Sequence, residues 1–238
     1  MRRIGSADPA HTCAVSSGAP GGQHFSRPVV RPGRAWSIIY AMSDQHAAVL
    51  ALHWQVNVIR PEGFFGPMLA EPVAASGVVQ RAADFHKQAA ELGLPIICTR
   101  FTVPEGEGRL VRNTGFMQSV GAAQHEFRPD APGSHLIDEI AGQADRIVDN
   151  QKLSGLAGND LPRWLAENDI DTLFLTGVAT NLTVEQTARH GTDLGFTVYT
   201  VADCVAAADH QVHTASLANI ALVSAGLRTT ADAFDDLD

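Results

Sequence analysis

Residues 172–206 read TLFLTGVATNLTVEQTARHGTDLGFTVYTVADCVA, and the pattern is strand, tight turn, helix, strand. Leu173, Phe174, Leu175 and Val178 form a short apolar run, the mark of a strand buried on both faces. Gly177 breaks the run. Thr180 and Asn181 are good cap residues for a helix that starts near Thr183. Along that helix Val184, Thr187, Ala188, Gly191 and Leu194 recur at helical spacing, which predicts one face packed on a sheet. Gly195 closes the helix. Phe196 to Val201, rich in Val, Thr and Tyr, predicts the next strand.

Outward from that stretch the same alternation repeats. Ala47 to Leu52 predicts a first buried strand, ending in His53-Trp54-Gln55. Residues 56–75 read as a loop, with Pro61, Gly63, Gly66, Pro67 and Pro72 and an exposed Phe64-Phe65 pair. Val78 to Leu92 is amphipathic and closed by Gly93, and Pro95 to Thr102 is a second strand. Val103 to Gly142 is the least regular region, a long excursion with one or two short helices, the kind of insertion that shapes a pocket. Arg146 to Asn150 predicts a third strand. Leu161 to Glu167 predicts a helix capped by Asn159 or Asp160. Gln211 to Ser224 is the last long helix, and Leu227 to Thr230 a sixth strand. Strands alternating with helices predict an α/β fold: a doubly wound, Rossmann-like parallel sheet of about six strands with helices on both faces. In such a sheet ligands bind where strand C-terminal ends meet helix N-termini. The turn from Val178 to Thr183 sits at such a point, with Thr183 projecting into the pocket.

The chain has 238 residues, 45% of them hydrophobic, which suits one medium domain with a substantial core. Its net charge of −9 gives no nucleic-acid footprint. No apolar run approaches membrane-spanning length. The three cysteines, Cys13, Cys98 and Cys204, have no zinc or disulfide spacing. Cys98 and Cys204 lie in apolar stretches and read as small buried residues, so a reducing cytoplasm is the natural expectation. Residues 1–41 carry five arginines and one acid, with frequent Gly, Pro and Ser. They predict a disordered N-terminal extension ahead of an α/β domain at 42–238. An Arg-rich transit segment and a translation start at Met42 are alternative readings of the same stretch.

The segment 176–189, TGVATNLTVEQTAR, closely resembles the active-site turn of the isochorismatase-like cysteine hydrolase superfamily, T-G-V-A-T-N-x-C-V-E-x-T-A-R. The resemblance extends over roughly residues 47–230. In those hydrolases an Asp at the end of the first strand is a general base, a Lys after the third strand supports it, and the Cys of the turn attacks a carbonyl. Here Thr183 stands at the Cys position. The Asp-x-Gln motif reads His53-Trp54-Gln55. Alignment through Ser154 and Gly158-Asn159-Asp160-Leu161 puts Asn150 at the Lys position, with Lys152 as a shifted substitute two residues on.

Three functional readings follow from His53, Asn150 and Thr183. In the first, His53 is the base, the Thr183 hydroxyl the nucleophile, and Asn150 orients the imidazole or polarises the substrate. In the second, His53 activates water or protonates the substrate, while Thr183 and Asn150 hydrogen-bond the ligand. In the third, the chain is a catalytically inactive relative that binds a small molecule or serves as a structural subunit. Gln55, Val178, Ala179 and Thr180 are the candidates for substrate binding and oxyanion stabilisation, with backbone N–H groups around Ala179, Thr180 and Thr183 as the donors. Gln55 matches the family Gln and has a structural role as its alternative, and the resemblance implies a cis peptide near Val178-Ala179. It implies a small carbonyl, amide or enol-ether metabolite as substrate, and a homodimer or homotetramer. No cofactor is expected. No metal is expected either, because Phe101-Thr102-Val103 occupies the place where metal-binding relatives carry Asp-x-His. His125, His135, His190, His210 and His213 lack ligand spacing and read as surface residues. Trp54, Phe64, Phe65, Phe101 and Phe116 are candidates for a pocket lining or for the core.

Overall fold

Period-two alternation in the first strand sorts the molecule into its layers. The computed structural model describes residues 46–235 and Leu237; the extension expected at 1–41 lies outside the described residues. In β1 (Ala47–Leu52) Ala47, Val49 and Ala51 point into one apolar cluster, with Val78, Ala82, Phe85 and Ala89 of α3 (Val78–Glu91). Ala48, Leu50 and Leu52 point into another. That second cluster holds Leu161 and Leu165 of α6 (Leu161–Glu167), Ala188 of α7 (Glu185–Asp193) and Ile220 of α8 (His210–Val223). Successive strand side chains face opposite ways, so a strand covered by helices on both faces must be apolar at every position.

The sheet has six strands, all parallel, in the order β3-β2-β1-β4-β5-β6. The remaining strands are β2 (Ile96–Phe101), β3 (Arg146–Asn150), β4 (Thr172–Val178), β5 (Thr197–Ala206) and β6 (Gly226–Arg228). From β1 the chain winds outward through β2 and β3, then returns to the other side of β1 with β4. The order therefore reverses between β1 and β4, and the crevice beyond their C-terminal ends is where such a sheet admits a ligand. Gly177 is required there. It pairs with Leu52 at φ +135°, and a Cβ on it would lie 2.2 Å from the Leu52 carbonyl oxygen.

Several segments differ from the sequence expectation. Residues 56–75 are not a loop. They form a short turn of helix, α1 (Val56–Ile59), and then α2 (Gly66–Ser76). Pro67 lies in the first turn of α2, where its missing N–H costs nothing, while apolar Leu69, Ala70 and Val73 are buried. The Phe64-Phe65 pair is not exposed. The two rings meet edge to face at 4.9 Å and join Phe127 and Phe116 in an aromatic cluster. The excursion holds α4 (Gly115–Ala122), whose Thr114 accepts a capping bond from the Met117 N–H, and α5 (Asp138–Ala141). Asn159, rather than the Asp160 side chain, accepts from the first N–H of α6. Helix α7 begins later than expected, because Thr180–Val184 form a wider turn and Thr180 and Asn181 make no cap bond. Leu194, expected on the packed face, is 46% exposed. Cys98 and Cys204 are buried free thiols.

Candidate active site

Three strand ends deliver three polar side chains to the reversal point. His53 follows β1, Asn150 ends β3, and Thr183 lies in the wide turn after β4. His53 takes a left-handed backbone conformation, φ 55°, uncommon outside glycine. Its Nε2 is 3.2 Å from Asn150 Oδ1, and its Nδ1 is 3.1 Å from Thr183 Oγ1. All three residues are buried.

Hydrogen-bond bookkeeping fixes the direction of this relay. The Asn150 Nδ2 donates to the carbonyl oxygens of Lys152, at 2.9 Å, and Ser154, at 2.8 Å. Carbonyls only accept, so the amide is held with Oδ1 toward the imidazole. An amide oxygen can only accept, so His53 carries its proton on Nε2 and donates it to Asn150. The Nδ1 lone pair then accepts the Thr183 O–H. Burial lowers the His53 pKa to about 4, and the bond it donates to Asn150 raises it by less, so the ring is neutral near pH 7. The arrangement is a hydroxyl donating to a neutral imidazole, with a carboxamide fixing the tautomer.

Beside this relay lies a recess of about 500 Å³, including its mouth. His53 and Thr183 supply the polar side chains of its lining. Val58, Leu69, Phe65, Phe101, Phe116 and Leu182 are among the apolar ones, and Val178 and Ala179 also line it. The Val178-Ala179 peptide is cis.

The other sequence-nominated residues are placed as follows. Asn150 stands behind His53 and does not line the recess. Gln55 is fully buried away from it. Its Oε1 accepts from the Phe101 N–H, and its Nε2 donates to the carbonyls of Phe101 and Ser134, so its amide ties β1 to β2. Thr180 Oγ1 is 2.9 Å from His213 Nδ1, on the far side of the turn. Lys152 does not stand in for a lysine beside His53: its Nζ donates to the Arg109 carbonyl instead. His190 and His213 are half-buried rather than free on the surface, and His190 Nδ1 lies 2.9 Å from Ser154 Oγ. Trp54 is core, its indole N–H 3.4 Å from Thr176 Oγ1. Among the described residues no group of three or more His, Cys, Asp or Glu is placed to hold a metal ion.

Sequence reading missed a second buried imidazole. His86 on α3 is wholly buried, with Nε2 2.9 Å from Thr176 Oγ1 and Nδ1 3.1 Å from Gln143 Oε1. The Gln143 amide donates to the Ala83 carbonyl, which fixes its orientation. His86 therefore donates from Nδ1 and accepts from Thr176. Burial lowers its pKa to about 4. The spacing of His86 from Ala82, Phe85 and Ala89 was the available signal that it faces inward.

The model of the isochorismatase domain matches residues 47–232. The chain belongs to the isochorismatase family. Members of this family are hydrolases. The isochorismatase family protein YecD of Escherichia coli O157:H7 is 27% identical over 65% of this chain and 80% of its own length. Nicotinamidase 3 of Arabidopsis thaliana is 33% identical over 37% of this chain and 46% of its own length. Among solved structures, a cysteine hydrolase from Pseudomonas syringae pv. phaseolicola 1448A superposes with a TM-score of 0.68 at 26% identity, covering 89% of this chain and 97% of that one. The pyrazinamidase of Pyrococcus horikoshii in complex with zinc has a TM-score of 0.61 at 20% identity, over 78% of this chain and 99% of its own, a likeness of fold. No described helix is long and apolar enough to cross a membrane.

Proposed function

We propose that this isochorismatase-family protein hydrolyses a small carbonyl, amide or enol-ether metabolite through a Thr183-His53-Asn150 relay in place of a cysteine nucleophile. The observation that carries the reading is the doubly bonded imidazole, with Thr183 on one nitrogen and a rigidly held Asn150 on the other. For a carbonyl substrate, Thr183 Oγ attacks the carbon while its proton passes to His53 Nδ1. The imidazolium keeps its Nε2–H on Asn150, whose oxygen dipole faces the new charge. The tetrahedral adduct collapses, the carbon–leaving-group bond breaks, and Nδ1 returns the proton to the departing atom. Water, deprotonated by the same nitrogen, then hydrolyses the acyl-threonine.

A ring whose pKa is lowered to about 4 is a weak base and a strong acid. Burial therefore hinders the first proton transfer and helps the second. In a second route His53 activates water directly and Thr183 only holds the substrate oxygen; burial weakens His53 as a base there to the same extent, so the two routes are separated by the variants below.

The test is a panel of aryl amides, esters and enol ethers incubated with the full chain, with His53→Ala and Thr183→Val as controls. The first route expects turnover lost in both variants and an acyl adduct on the tryptic peptide bearing Thr183. Turnover that survives Thr183→Val within about tenfold would eliminate the threonine nucleophile. Ligand binding without any turnover would assign the chain to the non-catalytic members.

A further inference from the structure

Segment 152–154 does two things at once. The carbonyls of Lys152 and Ser154 face inward and receive the Asn150 amide. Lys152 and the buried Ser154 also line a second, open groove of about 1040 Å³ including its mouth. The Leu153 side chain lines both this groove and the inner recess. Helix α4 spans the same pair, with Phe116 and Val120 on the inner recess and Met117 on the outer groove. The two spaces are thus neighbours across one half-buried leucine.

Their chemistries are opposite. Inside, among the described residues, His53 and Thr183 supply the polar side chains and no charged side chain lines the recess, so a carboxylate or phosphate there would be buried without a counter-charge. Outside, Asn113, Gln151, Gln186 and His190 offer polar groups, Lys152 offers a cation, and no acid among the described residues lines the groove. Lys152 uses one N–H on the Arg109 carbonyl and has no carboxylate within salt-bridge distance among the described residues. Two ammonium donors remain for a ligand. In a chain with 26 acids against 17 Lys and Arg, a lysine left without an acid in a polar groove is a selective feature.

We infer that the two spaces form one bipartite site, in which a neutral, apolar acyl or aryl group sits against His53 and Thr183 while an anionic tail passes Leu153 and is held by Lys152. This rests on the hydrolase reading for the chemistry at the inner end, though not for the recognition of the tail. Lys152 is a specificity residue; it does not touch the reacting atoms.

The test uses binding, so that it stands apart from turnover. N-benzoyl ω-amino acids with three to five methylenes, and their uncharged N-alkylbenzamide counterparts, are titrated by NMR into wild type and into Thr183→Val, an isosteric change that removes the hydroxyl. The expected result is that one carboxylate-tailed member binds roughly fivefold tighter than its uncharged counterpart, the scale of a solvent-accessible ion pair. The preference shrinks in high salt, disappears in Lys152→Met and returns in Lys152→Arg. Equal binding of charged and uncharged members, a preference that survives Lys152→Met, or no binding of either series would overturn the bipartite site. Separately, absence of benzoate release from every member by wild type would count against the hydrolase reading while leaving a Lys152-dependent preference standing.

Discussion

Lowering the pH from 7 to 4.5 will destabilise this protein through its two buried imidazoles. His53 and His86 are both buried and hydrogen-bonded as neutral rings, and burial lowers each from an ordinary 6.5 to about 4. The unfolded chain binds two protons near pH 6.5 that the folded chain refuses until about pH 4. Stability is therefore full above pH 6.5 and falls as the pH drops through the window to 4, by roughly 1.4 kcal/mol per pH unit for each ring. Each ring thus accounts for about 3 kcal/mol across the window, and the pair for about 6–7 kcal/mol. That is comparable to the whole stability of many domains, roughly 5–15 kcal/mol. His213, lowered by partial burial and the neighbouring His210, acts in the same direction. The assay is urea denaturation followed by circular dichroism at half-unit steps from pH 7.5 to 4.5, for wild type, His86→Gln and His53→Gln. Comparing slopes against pH, rather than absolute stabilities, removes the cost of the substitutions themselves. Wild type should lose close to 3 kcal/mol per unit in the middle of the window, and each variant about half of that. A flat wild-type profile between pH 6.5 and 4.5, or variants with the wild-type slope, would refute the assignment of both rings as neutral and proton-excluding.

Further expectations concern the relay and its frame. Asn150→Ala releases the imidazole tautomer without touching the recess, so kcat should fall about tenfold to a hundredfold with KM little changed, as steady-state kinetics on any substrate found would show. Thr183→Cys places a thiol against His53 Nδ1. Intact-mass measurement after iodoacetamide should then show one alkylation more than wild type, because burial pushes the thiols of Cys98 and Cys204 up to about 12 and leaves them inert. Gly177→Ala forces a Cβ to within 2.2 Å of the Leu52 carbonyl oxygen at φ +135°. It should cost more than about 3 kcal/mol, visible as loss of soluble folded protein or a collapsed melting temperature.

Much of the sheet was legible because its signals are local. A strand covered on both faces has to be apolar throughout, as Ala47–Leu52 is, and β3 and β4 were likewise legible from their own residues. Helix α3 showed its buried face through 3.6-residue periodicity. Residues 56–75 misled because proline and glycine density reads as loop, whereas Pro67 occupies a helical first turn that tolerates it. Leu194 misled because it continues the helical period one residue past the end of α7 at Asp193, where it is exposed.

The chain's own letters determined which side chains stand at strand ends, and hence that an imidazole, a carboxamide and a hydroxyl were candidates for one crevice. Tertiary structure decided what those groups do to one another. Residues 53, 150 and 183 come within hydrogen-bond range only because β1, β3 and β4 end at one edge of the sheet. The tautomer of His53 depends on two backbone carbonyls that hold Asn150 in place, and a backbone carbonyl is the same atom in every residue. No pattern of side chains can announce where such a group will point; only the folded path of residues 150–154 does.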